Sequence, residues 1–141
     1  MWNIFPGQGA QLDKVMEEEI LIVDDDEKIL FVLQESLKRV MEDCVIETAS
    51  SGFRALQIAE EKQPKLLITD LMLGDTDGIR LTQAMRILHP ELIVIWITAY
   101  GCHSVIGQAE KLGIFRCMDK PISIQQIRQV VFEAMDSDHR Q

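Results

Sequence analysis

Six polar side chains in this sequence stand at the ends of apolar runs. Asp24, Asp25 and Asp26 follow Ile20 to Val23, Asp70 follows Leu66 to Thr69, Thr98 closes Leu92 to Thr98, and Lys120 comes just after Ile114 to Met118. Carboxylates crowded into one place repel one another, and their pKa values rise unless an opposite charge is recruited. A hard divalent cation, Mg²⁺ or Mn²⁺, supplies that charge, since it takes oxygen ligands and is commonly held by a few carboxylates together with water and phosphate oxygens. A carboxylate so neutralised can itself act as a nucleophile and form an aspartyl-phosphate. Asp70 is the candidate nucleophile: Leu67-Ile68 and Leu71-Met72-Leu73 on either side would hold its strand while its side chain emerges at the rim. Lys120 would neutralise one phosphate oxygen as a point charge, and the Thr98 hydroxyl would donate a hydrogen bond to another.

Such residues meet only if the chain folds in one way. The four runs are short, rich in β-branched residues and regularly spaced, so they read as buried strands, and Cys44 to Thr48 reads as a fifth strand nearer an edge. Between them the pattern turns helical: Ile29, Leu30, Leu33, Leu37 and Val40 share one face, and Phe53, Leu56, Ile58 and Ala59 share another. Further helices fit Gly78 to Leu88, His103 to Leu112 and Ser123 to Met135, with Ser123 as an N-cap and His89-Pro90 and Gly113 as stops. Strands alternating with helices imply right-handed crossovers and a parallel sheet covered on both faces, a three-layer α/β sandwich of doubly wound (βα)5 type. Sheets of this kind carry their sites outside the carboxyl ends of the strands. All six polar groups fall at that edge.

The chain has 141 residues, 47% of them hydrophobic, enough for one core of ordinary size. With 14 basic and 23 acidic residues its formal net charge is -9, so its field repels phosphate backbones, and no nucleic-acid binding by this chain alone is expected. Residues 1–18 read as a flexible extension, 19–136 as the folded domain and 137–141 as a tail. The N-terminal segment has no cationic start and is interrupted by Pro6, Gly7 and Gly9, and no apolar run is long enough to span a membrane; a cytoplasmic place without membrane partner is the expectation. Cys44, Cys102 and Cys117 lack metal-type spacing and are an odd set, which reads as three reduced thiols.

The sequence resembles the response-regulator receiver family of two-component signalling, CheY-like domains. The resemblance covers Glu19 to about Met135 and rests on Ile-Val-Asp24-Asp25-Asp26, Thr69-Asp70-Leu-Met-Leu, Asp77-Gly78, Ile97-Thr98-Ala99-Tyr100 and Asp119-Lys120-Pro121. It implies a flavodoxin-like strand order 2-1-3-4-5, Asp70 as phosphoacceptor, and Mg²⁺ held by Asp25, Asp70 and the Met72 backbone carbonyl, with Asp24 acting through water. It also implies that Thr98 senses the phosphoryl group, that Lys120 pairs with it, and that the Lys120-Pro121 bond is cis, an isomer that X-Pro tolerates. The implied donor is a sensor histidine kinase or phosphotransfer protein. The implied output is a partner, an attached output domain or a homodimer, reached through the face made by the fourth helix, fifth strand and fifth helix. Such a domain catalyses only its own phosphorylation and dephosphorylation. After Lys120 only 21 residues remain, so no DNA-binding output domain is expected within this chain.

Two departures bear on mechanism. Gly74 stands where most members have proline, which predicts a less restricted loop from Leu73 to Gly78. Cys117, three residues before Lys120, occupies a position usually held by Tyr or Phe, whose ring moves with the threonine. A small thiol cannot transmit motion by sweeping a ring, so switching is expected to rely on Thr98 and backbone shifts from Tyr100 to Gly107, with Tyr100 or Phe115 as aromatic reporter.

Other readings of the same residues are weaker. Phe5-Pro6-Gly7-Gln8-Gly9-Ala10-Gln11 is similar to the opening of malonyl-transferring acyltransferases, but the Gly-x-Ser-x-Gly elbow is missing. A haloacid-dehalogenase-type phosphatase also uses a strand-end Asp, yet it wants a second Asp where Met72 stands. A phosphate-independent pseudo-receiver would have no use for the acids. Asp75-Thr76-Asp77-Gly78 cannot be a calcium loop, since its first and twelfth positions would be Leu73 and Ala84, and it reads as a turn leading into a helix. Asp26-Glu27 reads as a cap and first-turn charge. His89, His103 and His139 are scattered and read as surface groups, and most of the seven Met residues as core filling.

Overall fold

The computed structural model describes residues 17–140. It contains strands β1 (Glu18–Val23), β2 (Cys44–Ala49), β3 (Leu66–Asp70), β4 (Ile93–Thr98) and β5 (Arg116–Asp119). Helices α1 (Glu27–Lys38), α2 (Gly52–Glu61), α3 (Gly78–Leu88), α4 (Ile106–Leu112) and α5 (Ile124–Arg140) alternate with them. The strands form one sheet in the order β2-β1-β3-β4-β5, parallel at every pairing. The expected three-layer, doubly wound architecture is therefore the observed one, with β2 at an edge.

Side-chain alternation along the strands splits the core in two. Ile20, Ile22, Leu66, Ile68, Ile95 and Ile97 face α1 and α5, where Leu30, Leu33, Leu37, Ile127 and Val131 meet them. Leu21, Val23, Leu67, Val94 and Trp96 face the opposite layer, against Ala55 and Ile58 of α2 and Leu81 and Met85 of α3. Both faces of the sheet are covered, which explains why the central strands are continuous apolar runs rather than alternating ones. Trp96, the bulkiest buried side chain, satisfies its indole N–H on Thr82 Oγ1 at 2.9 Å, and that hydroxyl donates to the Gly78 carbonyl at 2.7 Å. A polar relay thus ties β4 to the start of α3.

The helix ends follow their caps. Asp26 accepts from the backbone N–H groups of Lys28 and Ile29, Ser51 from Arg54, Asp77 from Arg80 and Ser123 from Gln126, and Gly113 closes α4 in the left-handed region at φ 63°. His89, expected at the surface, instead caps the end of α3 half-buried, with Nε2 2.8 Å from the Ala59 carbonyl of α2.

Several expectations are corrected. The N-terminal extension was placed at 1–18, but Glu18 already pairs with Cys44 in β1; residues 1–16, with the acyltransferase-like motif, lie outside the described residues. Helical backbone runs to Arg140, past the boundary expected at 137. Val40 lies beyond the end of α1 and is exposed, and Phe53 is 68% exposed because the buried face of α2 is set by Gly52, Ala55, Ile58 and Ala59, one helical step away from it. The helix expected over 103–112 is divided into a 3₁₀ turn, Cys102–Val105, and α4.

The cysteine reading is also overturned. Cys102 and Cys117 form a disulfide with their Cα atoms 5.8 Å apart, and only Cys44 is free among the described residues. Fifteen residues separate the two in sequence. They meet because the sheet sets β5 beside β4, which pairs Trp96 with Cys117 and leaves the segment after Thr98 hanging over the same edge.

Candidate functional site

Four of the five strands, β1, β3, β4 and β5, deliver the expected side chains to one edge of the sheet. Val23 at the end of β1 pairs with Thr69, Asp70 pairs with Ile97, and Thr98 pairs with Asp119, so Asp24, Asp70, Thr98 and Lys120 fall at one rim by register alone. The Lys120 ammonium donates to Asp70 Oδ2 at 2.7 Å and to Asp24 Oδ2 at 3.1 Å. Asp70 Oδ1 accepts from the Met72 backbone N–H at 3.1 Å, and Asp24 Oδ1 from the Asp26 backbone N–H at 2.8 Å. Both carboxyl groups are buried, and all four of their oxygens are held in place.

Asp25 completes the cluster from the solvent side. One carboxylate oxygen each of Asp24, Asp25 and Asp70 lies within 4.8 Å of the others. Three carboxylates face one ammonium here, so negative charge is in excess, and the donor set is all hard oxygen. That fits a hard divalent cation better than a soft or nitrogen-seeking one. Met72 is exposed beside the cluster rather than filling core, and its backbone pairs with Asp77 in an isolated bridge.

The electrostatics follow from burial and pairing. Burial raises the Asp24 carboxyl above its ordinary range, against the Asp26 N–H and the Lys120 ammonium, which pull it down. For Lys120, burial favours the neutral amine, but its bonds to Asp70 and Asp24 outweigh this and the net direction is upward. Lys120 is thus a fixed cation between two acids. Thr98 is buried at the end of β4 and its Oγ1 accepts from the Tyr100 N–H at 3.0 Å, a bond that leaves the hydroxyl proton uncommitted.

The floor of the site depends on residues whose role the sequence conceals. A Cβ on Gly78 would sit 2.9 Å from the Leu71 Cα and nearer still to the Asp70 carbonyl, so the chain carrying Asp70 can lie against α3 only because residue 78 is glycine. Gly74 adopts φ 85°, a left-handed conformation closed to proline. The loop expected to be loose is tied down: Asp75 accepts from the backbone N–H groups of Gly52 and Phe53, both at 3.0 Å, which also lowers its pKa. Asp77 caps α3 as the turn reading expected. The Lys120-Pro121 peptide is cis, as the resemblance implied.

The β4 and β5 side has its own ties. The Cys102 N–H donates to Asp119 Oδ1 at 2.8 Å, the Lys120 N–H donates to the Thr98 carbonyl at 2.8 Å, and the disulfide spans the same two segments. Asp119 and Cys102 carried no local signal of this contact. Tyr100 is 69% exposed, whereas Phe115 packs against the core with the Arg116 guanidinium over its ring.

Comparison with known proteins places this arrangement. The family described as the response regulator receiver domain matches residues 20–132, most of the chain and every residue of the cluster. This chain belongs to that family. The receiver is 33% identical over 117 residues to sporulation initiation phosphotransferase F of Bacillus subtilis, covering 83% of this chain and 93% of the relative. It is 32% identical over 118 residues to the response regulator protein PilR of Pseudomonas aeruginosa, covering 84% of this chain but 26% of that protein. A CheY-like receiver domain protein from Methanospirillum hungatei superposes with a TM-score of 0.80 at 25% identity over 87% of this chain and 97% of that one. The receiver therefore spans nearly the whole of one relative and about a quarter of the other. It is a signalling domain of two-component systems, phosphorylated on aspartate, rather than a turnover enzyme. No helix among the described residues is long and apolar enough to cross a membrane.

Proposed function

We propose that Asp70 is the phosphoacceptor and that a histidine kinase or phosphotransfer protein is its donor. The observation that carries this reading is the pair of hydrogen bonds from one ammonium, Lys120, to Asp70 and Asp24 at the carboxyl edge of the sheet. An Asp70 oxygen attacks phosphorus in line, the bond to the donor breaks, and the donor leaves with that electron pair. Lys120 then pairs with a phosphoryl oxygen in place of the carboxylate, and the uncommitted Thr98 proton is donated to another.

Asp25, Asp70 and the Met72 carbonyl would hold Mg²⁺ or Mn²⁺, with Asp24 acting through water, and the cation would supply charge stabilisation to the phosphoryl oxygens. The domain catalyses its own dephosphorylation when water displaces the carboxylate from phosphorus, and Met72 and Tyr100, both exposed, stand at positions resembling those by which the family tunes the lifetime of the phosphoryl group. The protein works in the cytoplasm and signals through the face of α4, β5 and α5 to a partner, an attached output domain or a second copy.

Incubating the protein with radiolabelled acetyl phosphate and Mg²⁺ tests the assignment. Label should bind in an acid-stable, base-labile form, vanish in Asp70→Asn and require the cation. Label retained by Asp70→Asn would end it.

A further inference from the structure

Cys102 and Cys117 join the two segments that deliver Thr98 and Lys120 to the site. Cys102 opens the 3₁₀ turn four residues after Thr98, and Cys117 lies on β5 three residues before Lys120. Their Cα separation of 5.8 Å is the span a disulfide needs, with no backbone movement required to close it. Both residues are half-buried rather than sealed in the core. Cys44 is the built-in contrast: it lies on β2, at the opposite edge of the sheet, and burial beside Glu18 and Asp43 pushes its thiol up to about 11.

The surroundings make this bond consequential. Nothing in β5, α4 or the 3₁₀ turn is fully buried: Val105, Ala109, Leu112 and Cys117 pack against the core only partly buried, so discrete ties count for more here than in the sealed centre of the sheet. The others near the site are the Cys102 N–H on Asp119 and the Lys120 N–H on Thr98. Just before Cys102, Gly101 sits at φ 92°, a position where the chain can turn without a Cβ.

We propose that Cys102 and Cys117 are a reversible dithiol–disulfide site that locks the segment from Thr98 to Val105 onto β5 when oxidised and releases it when reduced. The oxidant is a small disulfide of the glutathione class. One cysteine thiolate attacks it, its S–S bond breaks and one small thiol leaves. The second cysteine then attacks the protein sulfur of the mixed disulfide and the second small thiol leaves, so two protein thiols become one disulfide and two small thiols take up the protons. A small dithiol attacks the protein disulfide and then closes on itself, so both protein thiols return and the reductant leaves as its cyclic disulfide. The proposal deepens the phosphoacceptor reading and rests on it for its consequence: a domain in a reducing cytoplasm would respond to phosphorylation in its dithiol form and be held unresponsive by oxidation.

The test uses the full chain in glutathione buffers ranging from reduced to oxidised, with thiols counted by alkylation and mass. Two thiols should disappear together, a Cys102–Cys117 crosslinked peptide should appear, Cys44 should stay alkylatable throughout, and dithiothreitol should restore all three. Amide exchange over residues 99–107 should be about tenfold slower in the oxidised form, and addition of beryllofluoride with Mg²⁺ should change it in the reduced form only. Cys102→Ser and Cys117→Ser, each checked for a native circular dichroism spectrum, should exchange like the reduced protein in every buffer. Three thiols persisting in oxidised buffer, equal exchange in the two forms, or a serine variant that still responds to the buffer would overturn the lock. A reduced protein that takes no label at Asp70 would instead remove the phosphoacceptor reading and the gating with it, while thiol count and exchange without beryllofluoride still decide the lock.

Discussion

The two halves of the carboxyl edge are built differently. On the β1 and β3 side, Asp24 and Asp70 emerge from strands whose interior is sealed on both faces, every residue of β3 being buried. On the β4 and β5 side, Thr98 ends a buried strand but leads into a 3₁₀ turn, a short α4 and a β5 with no fully buried residue. The first half is a platform that fixes acids where they repel one another. The second packs against the core only partly buried and adds a few discrete bonds, each of which can be cut separately. A switch needs this division, since the reacting group must hold still while the reporting surface moves.

Truncation should expose the contrast most strongly. Leu67→Ala, in the centre of β3 with no exposed surface, is expected to destabilise by about 3 kcal/mol, whereas Ile106→Ala on α4, 61% exposed, should change stability by less than about 0.5 kcal/mol. Chemical denaturation measures both. Equal losses would mean that α4 is held as firmly as β3, and the comparison would fail.

A smaller effect should follow from Asp75→Ala. That carboxylate satisfies two N–H groups at the start of α2, and its loss should weaken the protein by about 1 kcal/mol, with faster amide exchange at Gly52 and Phe53 and none of this change on the β5 side. Asp75→Asn, which can still accept, should restore part of it. Exchange that rises equally around the whole edge would show the halves to be one unit.

The smallest effect concerns pH, far from the site. Burial raises the Glu19 carboxyl from 4.5 to about 7, with help from neighbouring Glu47 and opposition from Lys62. One of its oxygens is buried without a hydrogen-bond partner, the other lies 4.0 Å from the Lys62 ammonium, and Lys62 is shared with Glu47. Because the folded protein holds this proton more tightly than the unfolded chain, the carboxyl contributes a penalty that is absent below about pH 4.5, grows between there and about pH 7, and is constant above. Glu19→Gln should therefore gain stability relative to the parent on going from pH 5 to pH 8, read from denaturation midpoints. A difference between the two that stays constant with pH would sink this account.

Much of this was legible in one dimension. The apolar runs, their helical interludes and the caps Asp26, Asp77 and Ser123 are local matters of propensity and hydrogen bonding, and a polar residue ending each run is visible by inspection. Phe53 and Val40 were misplaced because periodicity marks an apolar face without saying where a helix stops or which step of it meets the sheet. Met72, apolar by type, was carried to the surface by the turn after β3.

What the residues determined by themselves was the set of elements and the chemistry waiting at their ends, because strand and helix formation depend on neighbours a few positions away. The tertiary structure alone decided the exact contacts those ends make and the ties between loops around them. That Lys120 meets Asp70 across 50 residues could be expected from the alternation of strands and helices, but Asp75 capping a helix 23 residues earlier and Cys102 joining Cys117 have no signature in spacing. Such contacts are set by strand order and register, which arise when both faces of the sheet are buried at once.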